Sequence, residues 1–478
     1  MLKKKKVFLI VVMCLVLPSL LFLTAGKKKE AAPEEKKVEP KPVTLTISVL
    51  SGVHKLPFLA AAPLFEKEHP GVKINIVEYP FSDIYDKEML EATSHSGAID
   101  IYEQANGWVP EFAEGGFIIP LDDYFAKKNP WLDDIFPAFD GLMKYKGKYY
   151  TLLLDGDCFM TYYRKDLFED PNEKAAFKKK YGYDLRIPDT WDQWADMAEF
   201  FTRDRNGDGA IDLWGNVMML SRLFGSFTFI QFLHSYGGSY FDPDTMEPLP
   251  NREANRKAYE MIARLTKYAP PDMVNWGYTE VRDAFERGDV AMMIQWNEIY
   301  WEISETTKVK GKILYGPMPG VMIGGKLNRP ALQAWGWCAS ISSDSKNKDL
   351  AYEFLYFIDS PKVSLEVFAI PFNGLEPWRN SHFSDEAMKK WTELSPSAPA
   401  WLEGLKKSVE NGVSDLRIPG MFEYYDALGI QLGQALTGQK TPQAALDAVI
   451  AEWKKITERR GVNKQKEAYK GLLELKKK

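Results

Sequence analysis

Cysteine is almost missing from this chain, with only Cys14, Cys158 and Cys338 in 478 residues. Two cysteines beyond the N-terminal segment are too few for a disulfide scaffold or a thiolate metal site. Their spacing does not say whether Cys158 and Cys338 pair. Histidine is also sparse, at 54, 69, 95, 234 and 382, and no HExxH pair occurs. There is no P-loop, no G-x-S-x-G and no G-x-G-x-x-G, so motif support is absent for zinc hydrolysis, nucleotide binding and serine hydrolysis. Beyond the N-terminus no run is long and apolar enough to span a bilayer. An excess of positive charge is lacking too. The whole chain carries −5, and residues 1–42 hold ten Lys against four acids, which leaves the remainder at −11. An acidic body argues against nucleic acid as a partner.

What is present begins with an export-like segment. Lys3 to Lys6 precede an apolar run from Val7 to Leu23, broken only by Pro18 and Ser19, and Thr24-Ala25-Gly26 supplies small residues for cleavage. Residues 1–26 therefore read as a signal peptide, with a retained anchor as the open alternative. Leu23 to Gly26 resembles the start of a lipoprotein box, but Lys27 stands where the lipidated Cys belongs. Residues 27–42, rich in Lys, Glu, Pro and Ala, cannot bury apolar area and read as a disordered spacer. The expected location is outside the cytoplasm, periplasmic or tethered to the outer face of the cytoplasmic membrane.

From Val43 onward, strand and helix patterns alternate. Thr44 to Val49 alternates polar and aliphatic residues, Pro57 to Lys67 has helical spacing, and Pro70-Gly71 stops it. Val72 to Val77, Ile84 to Thr93 and Ile99 to Tyr102 continue the series as strand, helix and strand. This β-α-β-α-β order predicts an α/β fold with an open, mostly parallel sheet flanked by helices. Ligands of such sheets bind beyond the C-terminal strand ends. Three loops fall there: Ser51 to Lys55, Tyr79 to Asp83, and Glu103 to Trp108. From about Cys158 to Ile294 helical spacing dominates, at Trp191 to Thr202, Leu223 to Tyr236, Ala254 to Tyr268 and Val281 to Arg287. Ala291 to Ile294 reads as a buried strand. Asp349 to Ile358 and Pro442 to Glu458 read as later amphipathic helices, and 459–478 as a charged, loosely held tail.

Several phrases in one order carry a resemblance. They are Phe65-Glu66-Lys67-Glu68-His69-Pro70-Gly71-Val72, Trp108-Val109-Pro110-Glu111-Phe112-Ala113-Glu114-Gly115-Gly116, Tyr162-Tyr163-Arg164-Lys165-Asp166-Leu167-Phe168, Pro188-Asp189-Thr190-Trp191-Asp192, Phe285-Glu286-Arg287-Gly288-Asp289-Val290-Ala291-Met292 and Trp335-Gly336-Trp337. In this order they resemble the family 1 extracellular solute-binding proteins, the maltose-binding-like group, from about Thr44 to Glu458. The resemblance implies a type II periplasmic-binding-protein fold. One lobe is expected at 43–157 plus 295–355, the other at 158–294 plus 356–458, with about three crossings and a hinge. It further implies delivery to the permease subunits of an ABC importer. A carbohydrate ligand and a monomer are expected, and the absent catalytic motifs argue against an enzyme.

A sugar offers flat C–H faces rimmed by hydroxyls, so its cleft should mix aromatic rings with Asp, Glu, Asn and Arg. By place at the strand ends the candidates are Ser51, His54, Lys55, Glu103, Asn106 and Trp108. Asp155 and Asp157 lie at the first crossing. They read as acceptors for sugar hydroxyls, with hinge hydrogen bonding or an acid/base pair as alternatives. Trp296 follows the Ala291–Ile294 strand, and Trp335 and Trp337 would face one way on a strand. The resemblance adds Trp378 and Arg379, and Tyr240 follows Gly237-Gly238. Asp204, Asn206, Asp208, Ala210 and Asp212 match calcium-loop positions 1, 3, 5, 7 and 9, with Gly209 at 6. Position 12 is Gly215 instead of Glu, so the expectation is a structural calcium ion lacking its bidentate ligand.

Overall fold

The computed structural model describes residues 42–474, apart from Thr306 and Ala334. The expected signal peptide and all of the spacer but Pro42 lie outside the described residues. Among those described, nine strands build two main sheets. In chain order they are β1 (Val43–Leu50), β2 (Val72–Tyr79), β3 (Ile101–Ala105), β4 (Thr151–Leu153), β5 (Phe159–Arg164), β6 (Trp214–Val217), β7 (Val290–Trp296), β8 (Ile313–Gly316) and β9 (Trp337–Ile341).

The first sheet has the order β2-β1-β3-β9-β4. β1 runs parallel to β2 (Val43 opposite Val72) and to β3 (Ile47 opposite Ile101), while β9 runs against β3 and β4. The alternation of β1 buries Leu45, Ile47 and Val49. Against this sheet lies the helix Lys55–Glu68, which buries Phe58, Ala61, Ala62 and Phe65. Each buried Phe contributes roughly 1.5–3 kcal/mol. Pro70 disfavours helix at His69, and Gly71 turns the chain with φ 91°, a conformation that favours glycine.

The second sheet has the order β8-β5-β7-β6. Every residue of β5 and β7 is buried, as expected of central strands covered on both faces. A capping box starts the helix Trp191–Phe201. Thr190 Oγ1 accepts from the Gln193 N–H (3.3 Å), and Gln193 Oε1 accepts from the Thr190 N–H (3.4 Å).

Three expectations about organisation change. β8 pairs with β5 (Ile313 opposite Arg164), so the chain stays in the second sheet past residue 295 and regains the first only at β9. After residue 355 the chain does not turn to the second lobe at once. The helix Pro361–Phe368 packs on Lys55–Glu68, the Phe136 N–H donates to the Trp378 carbonyl (2.9 Å), and only Ala398–Val409 returns to β5 and β8. The end of the chain is not loosely held over its described part. Val462–Glu474 is a helix burying Gln465, Ala468, Tyr469 and Leu472, a stripe at helical spacing hidden among charged neighbours. Cys158 and Cys338 are buried and unpaired. Among the described residues no helix is long and apolar enough to cross a membrane.

Candidate functional site

A cavity of about 600 Å³ opens between the two sheets, within the size range of small-molecule sites. The first sheet's side supplies Ser51, His54 and Phe81 from loops after β1 and β2, and Trp337 from the start of β9. The second sheet's side supplies Trp296 at the end of β7, with Tyr278 and Glu298 beside it. The crossing segment 154–158 places Asp155 and Asp157 on the floor, and Trp335 comes from the return crossing. Beyond-strand-end placement is thus observed for both sheets.

His54 is held from behind. Its Nδ1 lies 3.1 Å from Glu103 Oε1, and Glu103 Oε2 accepts from the Leu50 N–H at 2.7 Å. The imidazole meets the Trp337 ring edge-on, with centroids 4.9 Å apart. Glu103 is fully buried, is not part of the cavity lining, and acts by orienting His54.

The floor is a junction of crossing segments. Asp155 Oδ1 accepts from the Glu376 N–H (3.0 Å) and Oδ2 from the Trp337 N–H (3.2 Å), so this carboxylate joins three chain segments. Gly156 is required beside it, because a Cβ there would collide with the Pro377 carbonyl. Asn297 clamps the same segment, accepting from the Cys158 N–H (3.1 Å) and donating to the Gly156 carbonyl (3.2 Å). Asp157 has one oxygen 3.4 Å from the Gly336 N–H, and its Oδ1 is buried without a partner. Asp157, Glu298 and Glu376 each bring a carboxylate oxygen within 4.8 Å of the others.

The electrostatics follow from that crowding. Burial, then the charges of Glu298 and Asp155, push the Asp157 carboxyl well above its usual range. Glu298 is also held well above it by burial, and Glu376 by burial and the neighbouring carboxylates. Asp155 is raised too, but its two backbone N–H donors favour the charged form.

Trp335 and Trp337 do not share a regular strand. Trp335 has φ 76° and Gly336 φ 43°, and the Asn106 N–H donates to both of the carbonyls at 335 and 336 (3.0 and 2.9 Å). Such a backbone conformation at a tryptophan costs about 1–3 kcal/mol. It nevertheless brings both rings to the cavity.

Several expected site residues lie elsewhere. Trp108 and Asn106 are buried behind the wall, Trp108 packing edge-on against Trp337 (5.8 Å) and Trp335 (6.1 Å). Lys55 turns away to Glu78 (3.0 Å). Tyr240 is buried and hydrogen-bonds the Ser414 carbonyl (3.3 Å). Trp378 and Arg379 are fully buried, and Arg379 pairs with Asp359 (2.5 Å) and Asp134 (3.7 Å). These groups tie chain segments together instead of facing the cavity. Sequence reasoning missed Glu298, Glu376, Tyr278 and Phe81. Glu298 carried a usable signal, since it follows Trp296 just past the same strand end, and Phe81 sat in a loop assigned to the cleft. Glu376 and Tyr278 carried none.

In the Asp204–Asp212 loop, Asp204 accepts from the Gly207 and Gly209 N–H groups (2.7 Å each), which lowers its pKa. Asp212 Oδ1 accepts from the Arg205 N–H (2.8 Å). Gly215 at position 12 packs against the helix Trp191–Phe201, where a Cβ would collide with the Ala198 carbonyl. The acidic trio that converges to ligand spacing among the described residues is Asp157, Glu298 and Glu376, not Asp204, Asp208 and Asp212.

Two sheets joined by crossings at 154–158, at 335–336 and between Phe383 and Ala398, with a ring-walled cavity between them, define a two-lobed binding protein. The chain belongs to the family described as bacterial extracellular solute-binding protein, which matches residues 53–364. It is 23% identical over 429 residues to the mannitol-binding protein of Pseudomonas aeruginosa, covering 85% of this chain and 91% of that protein. It is 22% identical over 410 residues to a probable amino-acid ABC transporter periplasmic-binding protein of Sinorhizobium fredii, covering 82% and 85%. Among solved structures, maltose-bound MalE3 of T. maritima superposes with a TM-score of 0.70 at 22% identity, covering 86% of this chain and 99% of that one. That likeness shows the type II periplasmic-binding-protein fold.

Proposed function

We propose that this chain is the exported solute-binding component of an ABC importer, capturing a carbohydrate between its lobes and handing it unaltered to permease subunits. The observation that carries the reading is the cavity wall itself. Rings of Trp296, Trp335 and Trp337 stand beside Ser51, His54 and Asp157, apolar faces next to hydroxyl-binding groups. Kinship to a protein named for mannitol binding and likeness to a maltose-bound structure support the ligand class. A rival reading makes Asp155 and Asp157 a hydrolytic pair. Against it, Asp155 spends both oxygens on backbone N–H groups of the hinge. The test is a thermal-shift screen against polyols and oligosaccharides, followed by product analysis. A ligand-dependent rise in Tm without products supports binding for import, and turnover overturns it. Loss of uptake in a deletion strain separates an importer component from a glycan-binding surface protein.

Export rests on the Lys3 to Gly26 pattern, and a monomer is the expected state, checked by light scattering. For the Asp204–Asp212 loop the proposed ligand is a structural calcium ion held by Asp204, Asn206, Asp208, the Ala210 carbonyl and Asp212. The residue spacing supports it.

A further inference from the structure

The inference rests on the carbohydrate reading above and narrows it. Asp157 and Glu298 line the cavity floor and Glu376 lies enclosed behind them, with an oxygen of each within 4.8 Å of the others. Glu376 is 0% exposed and neither of its oxygens has a hydrogen-bond partner; Asp157 Oδ1 and Glu298 Oε2 are likewise enclosed and unpartnered. Among the described residues no Lys or Arg pairs with any of the three. Leaving such groups unmatched is costly unless a ligand completes them.

Two observations outside the acids also point to a ligand. Trp335, 8% exposed, lines the cavity with its indole Nε1–H enclosed and without an acceptor. On the opposite side, the rings of Trp296 and Tyr278 lie within 28° of parallel, with centroids 6.3 Å apart, and both face the cavity. One wall therefore lacks an acceptor, the floor lacks donors, and the rings offer surfaces for a flat C–H face or a cation.

An ammonium group fits the floor by count and by geometry. It has three N–H donors and a full positive charge, while a hydroxyl has one donor and none. Three acceptors about 2.8 Å from a tetrahedral nitrogen stand about 4.6 Å apart, close to the spacing observed. A bare metal ion would leave the Trp335 donor and most of the 600 Å³ cavity unused.

We propose that the ligand is an amino-bearing carbohydrate, whose ammonium sits among Asp157, Glu298 and Glu376 while its ring packs on Trp296 and a hydroxyl oxygen accepts from Trp335. Burial favours the protonated form of all three carboxyls, so an ammonium that favours their charged form is expected to release protons on binding. No covalent bond changes.

The test is titration calorimetry of the purified chain with a panel of amino sugars and their short oligomers, each against its N-acetyl and hydroxyl counterparts, plus calcium and magnesium chlorides alone. Charge-assisted contacts predict at least about tenfold tighter binding of a free amine than of either counterpart. They also predict proton release, read from binding heats in two buffers of different ionisation enthalpy. Glu298→Gln should remove that preference and the proton release, so that the amine binds no more tightly than its hydroxyl counterpart. Glu376→Gln serves as a second variant should Glu298→Gln fold poorly. Equal or tighter binding of the neutral sugars to the unsubstituted chain overturns the inference and leaves the carbohydrate reading standing. Binding of calcium or magnesium alone that Glu298→Gln abolishes overturns it in favour of a metal site. If no carbohydrate of any kind binds, both readings fall.

Discussion

Buried charge is handled on two opposite plans in this molecule. Behind the first sheet, Arg379 is enclosed with Asp359 at 2.5 Å and Asp134 at 3.7 Å, and it donates to the Pro130 and Trp131 carbonyls (3.3 Å each). Even with this guanidinium in contact, burial pushes Asp359 up to about 7. On the cavity floor Asp157, Glu298 and Glu376 crowd together with no cation, and all three are held well above the usual carboxylate range. In the first arrangement the chain supplies the cation for its own buried acids. In the second it supplies none, and Asp157 and Glu298 line the space a ligand would fill.

The largest expected effect breaks the closed arrangement. Arg379→Ala should cost about 3–5 kcal/mol of stability in urea denaturation, because it strands buried acids without their cation. Glu376→Gln should change stability by less than about 1 kcal/mol, since burial favours the neutral form of the carboxyl, which the amide resembles. Equal losses in the two variants would erase the distinction between the two clusters.

Tryptophans sharpen the same contrast. Trp378→Ala should cost about 3–5 kcal/mol of stability and leave Kd unchanged. Trp296→Ala should weaken ligand binding by about tenfold or more, or about 1.4 kcal/mol, in calorimetry.

The pH dependence has a definite sign. Acids raised in the folded state hold protons that the unfolded chain has already released, so stability falls as pH climbs toward their folded values. Buried His382 is lowered well below 6.5 and acts in the opposite direction, losing stability as pH falls below 6.5. Above pH 6.5, where His382 no longer acts, the Tm of the ligand-free protein should therefore decline with rising pH. The Glu298→Gln/Glu376→Gln double variant should flatten the decline in differential scanning calorimetry, and bound ligand should do the same.

The smallest effect belongs to the exposed loop. Chelation, or Asp204→Asn, should lower stability by about 1 kcal/mol or less, read as a small drop in Tm that calcium restores only in the unsubstituted chain. A melting curve indifferent to both chelator and calcium removes calcium from that loop.

Much of the cleft was legible because strand ends are a local property. Alternation in Thr44 to Val49 and the apolar run at Val290 to Ile294 mark where strands stop, and Ser51, His54 and Trp296 follow directly. The Asp155-Gly156-Asp157 turn was legible as a crossing, and Thr190 as a helix start. Trp378 and Arg379 misled, because a ring and a cation after Pro377 look the same in sequence whether they face a cleft or pin a buried loop.

By itself the sequence determined the alternation of strands and helices, the loops at the first sheet's ligand edge and the acidic, cysteine-poor character of the body, all set by neighbours a few residues apart. Only tertiary structure decided that β8 stays with the second sheet, that Arg379 closes on Asp359, and that Glu298 and Glu376 meet Asp157. Those outcomes depend on long-range strand pairing and on charges approaching through space across a hinge, where distance along the chain carries no information about distance in the fold.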